Sequence, residues 1–192
     1  MVNNAGYGLF GPFESATSKQ IEREIQTNVI GVIETTRAFL PHFKKNKGGT
    51  YITIASMFGH ITMPFFSYYA TSKWAVEGFT ESLWYELSQY NIKVKIIEPG
   101  TIKTDFFTRS IDIAENFKTS DNRKYFEEVQ YNLTHRGDGG EPAINAAKVI
   151  FKAANDSSWK LRYIVDKTAK QLLFLRKILP PEFFVRALKK FL

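Results

Sequence analysis

Residues 56–73 read SMFGHITMPFFSYYATSK. Tyr69 follows Ser56 by thirteen residues, and Lys73 follows Tyr69 by four. On a helix Tyr69 and Lys73 lie one turn apart, so both side chains leave the same face. An ammonium beside a phenol favours the ionised phenol and is expected to lower its pKa. A loop that returns Ser56 to that face adds a hydroxyl. The three groups suit proton transfer at an oxygen atom near neutral pH.

A second Tyr-x-x-x-Lys, Tyr163 to Lys167, has no such context. Its residue thirteen positions upstream is Ile150. It lies in an apolar run that reads as a strand, where positions four apart are separated by roughly 13 Å. Tyr163 reads as strand packing.

The 192 residues suffice for one domain with a substantial core. No cysteine is present, which excludes disulfides and thiolate chemistry and fits a reducing cytoplasm. His42, His60 and His135 show no ligand spacing, so no metal is expected. The start, MVNNAGYG, lacks the basic and apolar regions of a signal peptide. The net charge of +7 belongs to the C-terminal stretch: residues 160–192 carry nine Lys/Arg against Asp166 and Glu182, and the rest of the chain sums to zero. Such a distribution does not suit a general nucleic-acid surface.

In chain order, a short strand enters a Gly-rich segment in which Gly6, Gly8 and Gly11 spell G-x-G-x-x-G. Pro12 and Phe13 follow where a phosphate-binding helix should open, so the segment reads as a loop. Residues 17–47 carry a helical pattern in Ile21, Ile25, Val29, Val32 and Ile33. Thr17 or Ser18 can cap it, and Pro41 and the Lys44–Gly49 cluster lead out. Asn28 sits unexplained in mid-helix. Residues 50–56 and 93–97 read as buried strands flanking a second long helix, residues 67–90. Trp74, Trp84 and Tyr85 on that helix fit either a subunit contact or core packing. Residues 101–134 mix six aromatics with charges, which suits a lid over an apolar site or a pair of surface helices. A helix over 141–155, a strand over 161–165 and two basic amphipathic pieces split at Pro180–Pro181 complete the chain. The tail, 166–192, suits an anionic membrane or partner surface, or packing on its own domain. The alternation of strand and helix predicts an α/β fold with a parallel sheet.

These residues resemble the short-chain dehydrogenase/reductase family. Asn3-Asn4-Ala5-Gly6 is similar to its NNAG motif and Asn28 to its helical Asn. Ser56, Tyr69 and Lys73 match its Ser and Y-x-x-x-K, and Pro99-Gly100-Thr101-Ile102-Lys103-Thr104 matches its PG motif. The resemblance implies a single Rossmann-like, doubly wound domain and an alcohol or ketone substrate. It also implies NAD or NADP as hydride carrier, and the bulky residues of the long helices add the expectation of a homo-oligomer. Tyr69 would be the acid/base, Lys73 its pKa modulator and ribose ligand, Ser56 the carbonyl-orienting hydroxyl and Asn28 the holder of a relay water. Pro99, Gly100, Ile102 and Thr104 would bound the nicotinamide, and Asn3, Ala5 and Gly6 the adenosine side. Met63, Pro64, Phe65 and Phe66 add an apolar character to the expected substrate. The family's T-G-x-x-x-G-x-G turn has no counterpart here, because no Thr-Gly dipeptide occurs. Three strands with their helices, roughly 80 residues, are expected to be missing ahead of Met1. The resemblance therefore leaves two expectations, an oxidoreductase or a fragment that binds no cofactor.

Overall fold

The structure, a computed structural model, describes residues 1–137 and 139–189, without the side chains of residues 134–137. The His135 side chain and the last three residues of the basic tail lie outside the described residues. The strands are β1 (Val2–Asn3), β2 (Gly8–Phe10), β3 (Gly49–Ile54), β4 (Ile92–Glu98), β5 (Ile102–Lys103), β6 (Ile111–Ile113), β7 (Glu141–Pro142) and β8 (Arg162–Ile164). The helices are α1 (Ser18–Ile25), α2 (Gly31–Lys45), α3 (Ser67–Ser88), α4 (Phe106–Arg109), α5 (Arg123–Gly137), α6 (Ala143–Asn155), α7 (Lys167–Ile178) and α8 (Pro181–Lys189).

The central sheet is parallel, in the order β1-β3-β4-β8. Its β-branched strands β3 and β4 are largely buried on both faces, as a sheet covered twice must be, with the charged Lys95 and Glu98 of β4 buried among them. On one face Val32 of α2 and Val76 of α3 pack against Ile96. On the other, Ala153 of α6 packs with Ile52, Ile97 and Tyr163. This is the doubly wound arrangement expected from the alternation of elements.

The helix over residues 18–45 keeps one of its two expected caps and differs from its sequence reading in two ways. Thr17 caps it through a reciprocal bond with Gln20. Pro41 lies inside it, and the helix runs on to Lys45. The buried stripe is not the isoleucines, which are half-buried, but Gln20, Glu24, Asn28, Val32 and Thr36. Those positions are four apart, a spacing that would drift about 160° around an α-helix over the series. Residues Gln26–Ile30 form a π-turn instead. The wider turn takes up part of the drift and keeps the polar stripe on one face.

Two short parallel pairs, β2 with β6 and β5 with β7, lie outside the main sheet. Of the G-x-G-x-x-G glycines, Gly8 opens β2 while Gly6 and Gly11 flank it, in keeping with their poor phosphate-binding context. Gly11 has φ +153°, and a Cβ there would stand 2.5 Å from the Ala114 Cβ. Only glycine lets the two segments close. Residues 101–134 become β5, α4, β6, a 3-10 turn at Phe117–Thr119 and most of α5.

Arg162 of β8 bonds Glu81 of α3 at 2.6 Å and contacts the buried carboxylates of Glu77 and Glu98 at 3.3 and 3.1 Å. His60 contacts Glu98 at 3.1 Å and Glu77 at 3.5 Å. Among the described residues these three groups, His60, Glu77 and Glu98, are the ones close enough to share an ion. The spacing of the histidines gave no sign of them. The guanidinium already supplies the cation that the two carboxylates need.

Hydrogen bonds from His60 to Glu77 and then Glu98 raise its pKa to about 9. The charged imidazolium therefore stabilises the fold fully below its unfolded pKa near 6.5, and that stabilisation is lost as pH rises through about 9. The His60→Gln variant is expected to be less stable at pH 6.5 by about 1–2 kcal/mol, allowing for partial exposure. Urea unfolding at pH 6.5 and 10 should find the difference at the first pH and little of it at the second.

Candidate active site

Strand β3 ends at Ile54, and its continuation brings Ser56 to the C-terminal edge of the sheet. The Ser56 hydroxyl accepts from the Phe58 amide at 3.2 Å and so caps the following 3-10 turn. Helix α3 starts beyond the chain reversal at Phe65, which has φ 66°. Its first two turns carry Tyr69 and then Lys73 inward, both buried. The Lys73 ammonium donates to the Ile54 carbonyl at 3.1 Å and lies 5.6 Å from the centre of the Tyr69 ring.

Ser56, Tyr69 and Lys73 line one cavity of about 900 Å³. Gly6, Pro99, Gly100, Ile102 and Thr104 share that lining. Apolar walls come from Phe58, Met63, Phe66, Phe106 and Phe107, and from Leu172 and Leu188 of the tail. The Phe66 ring meets Tyr69 edge-on, and Phe106 lies tilted at 5.9 Å. Gly100 is held by Asp166, which accepts from its amide at 2.7 Å and also caps α7 through Ala169.

The remaining expected residues stand elsewhere. The Asn3 amide is buried and donates to Thr36. Ala5 is exposed and does not line the cavity, whereas its neighbour Asn4 does. Asn28 lies behind the cavity wall. Its amide nitrogen donates to the Tyr7 carbonyl at 2.8 Å, to Ser72 at 3.0 Å and to Glu24 at 3.3 Å, while its oxygen accepts from the Tyr7 amide. Gly6 passes so close that a Cβ would stand 3.0 Å from the Asn28 oxygen and 3.7 Å from the Lys73 ammonium.

The electrostatics depart from the sequence expectation at Tyr69. Burial pushes its pKa up, with a hydrogen bond from Ser56 acting in the opposite sense. Desolvation outweighs any effect of the ammonium, so the phenol stays protonated. Lys73 is itself lowered to about 8 by burial, against the pull of Glu24 and Glu77. Glu24 was not singled out from the sequence. It is fully buried, accepts from the Leu9 amide at 2.6 Å, and burial raises its pKa to about 7. One hint was available: it precedes Asn28 by one turn, so both polar groups share a face.

Comparison with known proteins identifies the family. Residues 1–113 match the family described as short chain dehydrogenase. An uncharacterized oxidoreductase of Schizosaccharomyces pombe is 34% identical over 176 residues, covering 92% of this chain and 73% of that one. Retinol dehydrogenase 8 of Bos taurus is 31% identical, over 94% of this chain and 60% of its own. The solved structure of ElxO with NADP bound superposes with a TM-score of 0.68 at 25% identity, over 88% of this chain and 66% of that chain. The chain thus spans 60–73% of the length of these relatives. By its matched residues and its sheet, the chain belongs to the short-chain dehydrogenase/reductase family.

Proposed function

We propose that this chain carries the proton-transfer half of an oxidoreductase that interconverts an apolar alcohol and its carbonyl, with NAD or NADP as the second reactant. One observation carries the reading: Ser56, Tyr69 and Lys73 converge on one cavity with aromatic and aliphatic walls. Support also comes from ElxO, whose structure holds NADP, and from bovine retinol dehydrogenase 8, named for an apolar alcohol.

The cofactor fit differs between its two ends. Gly6, which approaches Lys73 without a Cβ, and the loop of Gly100, Ile102 and Thr104 leave room for a nicotinamide and its ribose beside Tyr69 and Lys73. For the diphosphate, no described glycine-rich turn opens a helix, since Gly6, Gly8 and Gly11 lead into and through β2. A nicotinamide dinucleotide, when bound, supplies or takes up the hydride.

The chain's own residues would manage the proton and the substrate oxygen. The protonated Tyr69 phenol donates its proton to a carbonyl oxygen, while Ser56 donates a hydrogen bond to the same atom. Lys73, anchored on the Ile54 carbonyl, stabilises the phenolate that remains. Asn28 joins Ser72 and Glu24 into a polar line behind Lys73. The segment 101–134 acts as a lid, with Phe106, Phe117 and Phe126 packed into the aromatic cluster around Tyr69. Trp74 and Tyr85 of α3 remain exposed and fit a contact with a second copy.

A second reading, a fragment that binds no cofactor, is favoured by the absence of a phosphate-binding turn among the described residues. Titration of the purified chain with NADPH and NADH, followed by Trp emission, separates the two. Saturable binding is expected, lost in Lys73→Ala. The Tyr69→Phe variant should keep the binding and lose about 10²- to 10⁴-fold in kcat. A folded chain that shows no saturation favours the fragment.

Glu24 supplies an independent check on the polar line. Its folded pKa of about 7 exceeds the unfolded 4.5, so ionisation costs the native state increasing stability as pH rises across that interval. Glu24→Gln should therefore gain on the parent chain by up to about 3 kcal/mol between pH 4.5 and 8. Denaturant midpoints that move in parallel would sink the assignment of a protonatable Glu24.

A further inference from the structure

The tail keeps two different faces. On the inner side Ala169 and Phe184 are buried with Met57 and Ile61, and Leu172 and Leu188 reach the cavity. The packing alternative for the tail is therefore realised for that side. On the outer side of α7, Lys167, Lys170, Gln171, Phe174, Leu175 and Ile178 are exposed and recur at intervals of three and four, so they share one face. On α8 Phe183, Val185, Arg186 and Lys189 are exposed. Phe174, Ile178, Phe183 and Val185 are each more than half exposed.

Large apolar side chains in water require a reason when they cluster. Here Phe174, Leu175 and Ile178 share the outer face of α7 with Lys167, Lys170 and Lys177, and the exposed part of α8 adds Phe183, Val185, Arg186 and Lys189 against Glu182 alone. A hydrocarbon surface alone would leave the cations unpaired, and a polar partner would leave the apolar groups wet. An interface of acyl chains beneath anionic headgroups satisfies both. A second copy is disfavoured by symmetry, because a two-fold contact would set five cations against the same five.

We propose that the outer faces of α7 and α8 dock on an anionic lipid membrane. No described helix is long and apolar enough to cross a bilayer, so the contact is peripheral. Docking needs only these exposed faces and stands apart from the redox reading of the cavity. If that reading holds as well, the same two helices form both the membrane contact and one wall of the substrate site.

Cosedimentation of the full chain with phosphatidylcholine vesicles, with and without phosphatidylserine, tests the proposal. Binding is expected for the anionic vesicles, falling about tenfold or more between low and high salt. Phe174→Ser/Ile178→Ser/Phe183→Ser should lose about tenfold or more, and Lys170→Glu/Lys177→Glu a similar factor. All five side chains are exposed, and circular dichroism would confirm that the variants fold. Equal partition into both vesicle types, no binding to either, or undiminished binding by the variants overturns the proposal. A dimer in sedimentation velocity that the Ser variant dissociates, without vesicle binding by the parent, would assign the surface to a second copy instead.

Discussion

The Lys73 ammonium is buried and holds a single backbone carbonyl, that of Ile54. Such a cation persists only if nearby charges offset its lost hydration. Two carboxylates do so from different sides, Glu24 of α1 and Glu77 of its own helix. Each needs an arrangement of its own. Glu24 is held by the Leu9 amide and by Ser72. Glu77 is balanced by Arg162 from the last strand and by His60 from the loop after Ser56. One buried charge thus ties together β2, α1, α3, the β3 edge and β8.

The same constraint explains the state of Tyr69. The walls that desolvate Lys73 also desolvate the phenol, and a desolvated phenol keeps its proton. The site is thus set as a proton donor in this state. Proton acceptance requires the phenolate to be favoured more strongly than the ammonium alone achieves here.

Much of the architecture is legible in residue order. Strands β3 and β4 are rich in β-branched residues, and α3 carries an apolar helical pattern between them. Ser56, Tyr69 and Lys73 can be paired because helical geometry fixes the last two. The features hidden from the sequence are those made by partners far apart along the chain. Strand β2 is three residues with a glycine, and only its pairing with β6, a hundred residues on, makes it a strand. Glu24 looks like solvated helix surface because hydrophobicity draws attention to Ile21 and Ile25. The polar stripe is hidden for the same reason, since its burial depends on hydrogen bonds from Tyr7, Leu9 and Ser72. Ala5 and Asn3 match a motif, yet Ala5 is exposed and Asn3 donates to Thr36.

The π-turn at Gln26–Ile30 has a consequence at the level of the gene. It acts as a phase adjuster between two helical segments that each have fixed partners, α1 beside β2 and α2 on the sheet. Each residue added or removed rotates the downstream helix by about 100°. Substitutions there can be absorbed wherever the side chain is half-exposed. A single-codon deletion would regularise the hydrogen bonds while turning Val32 and Thr36 off the sheet. Length, more than composition, is therefore the inherited property of this stretch.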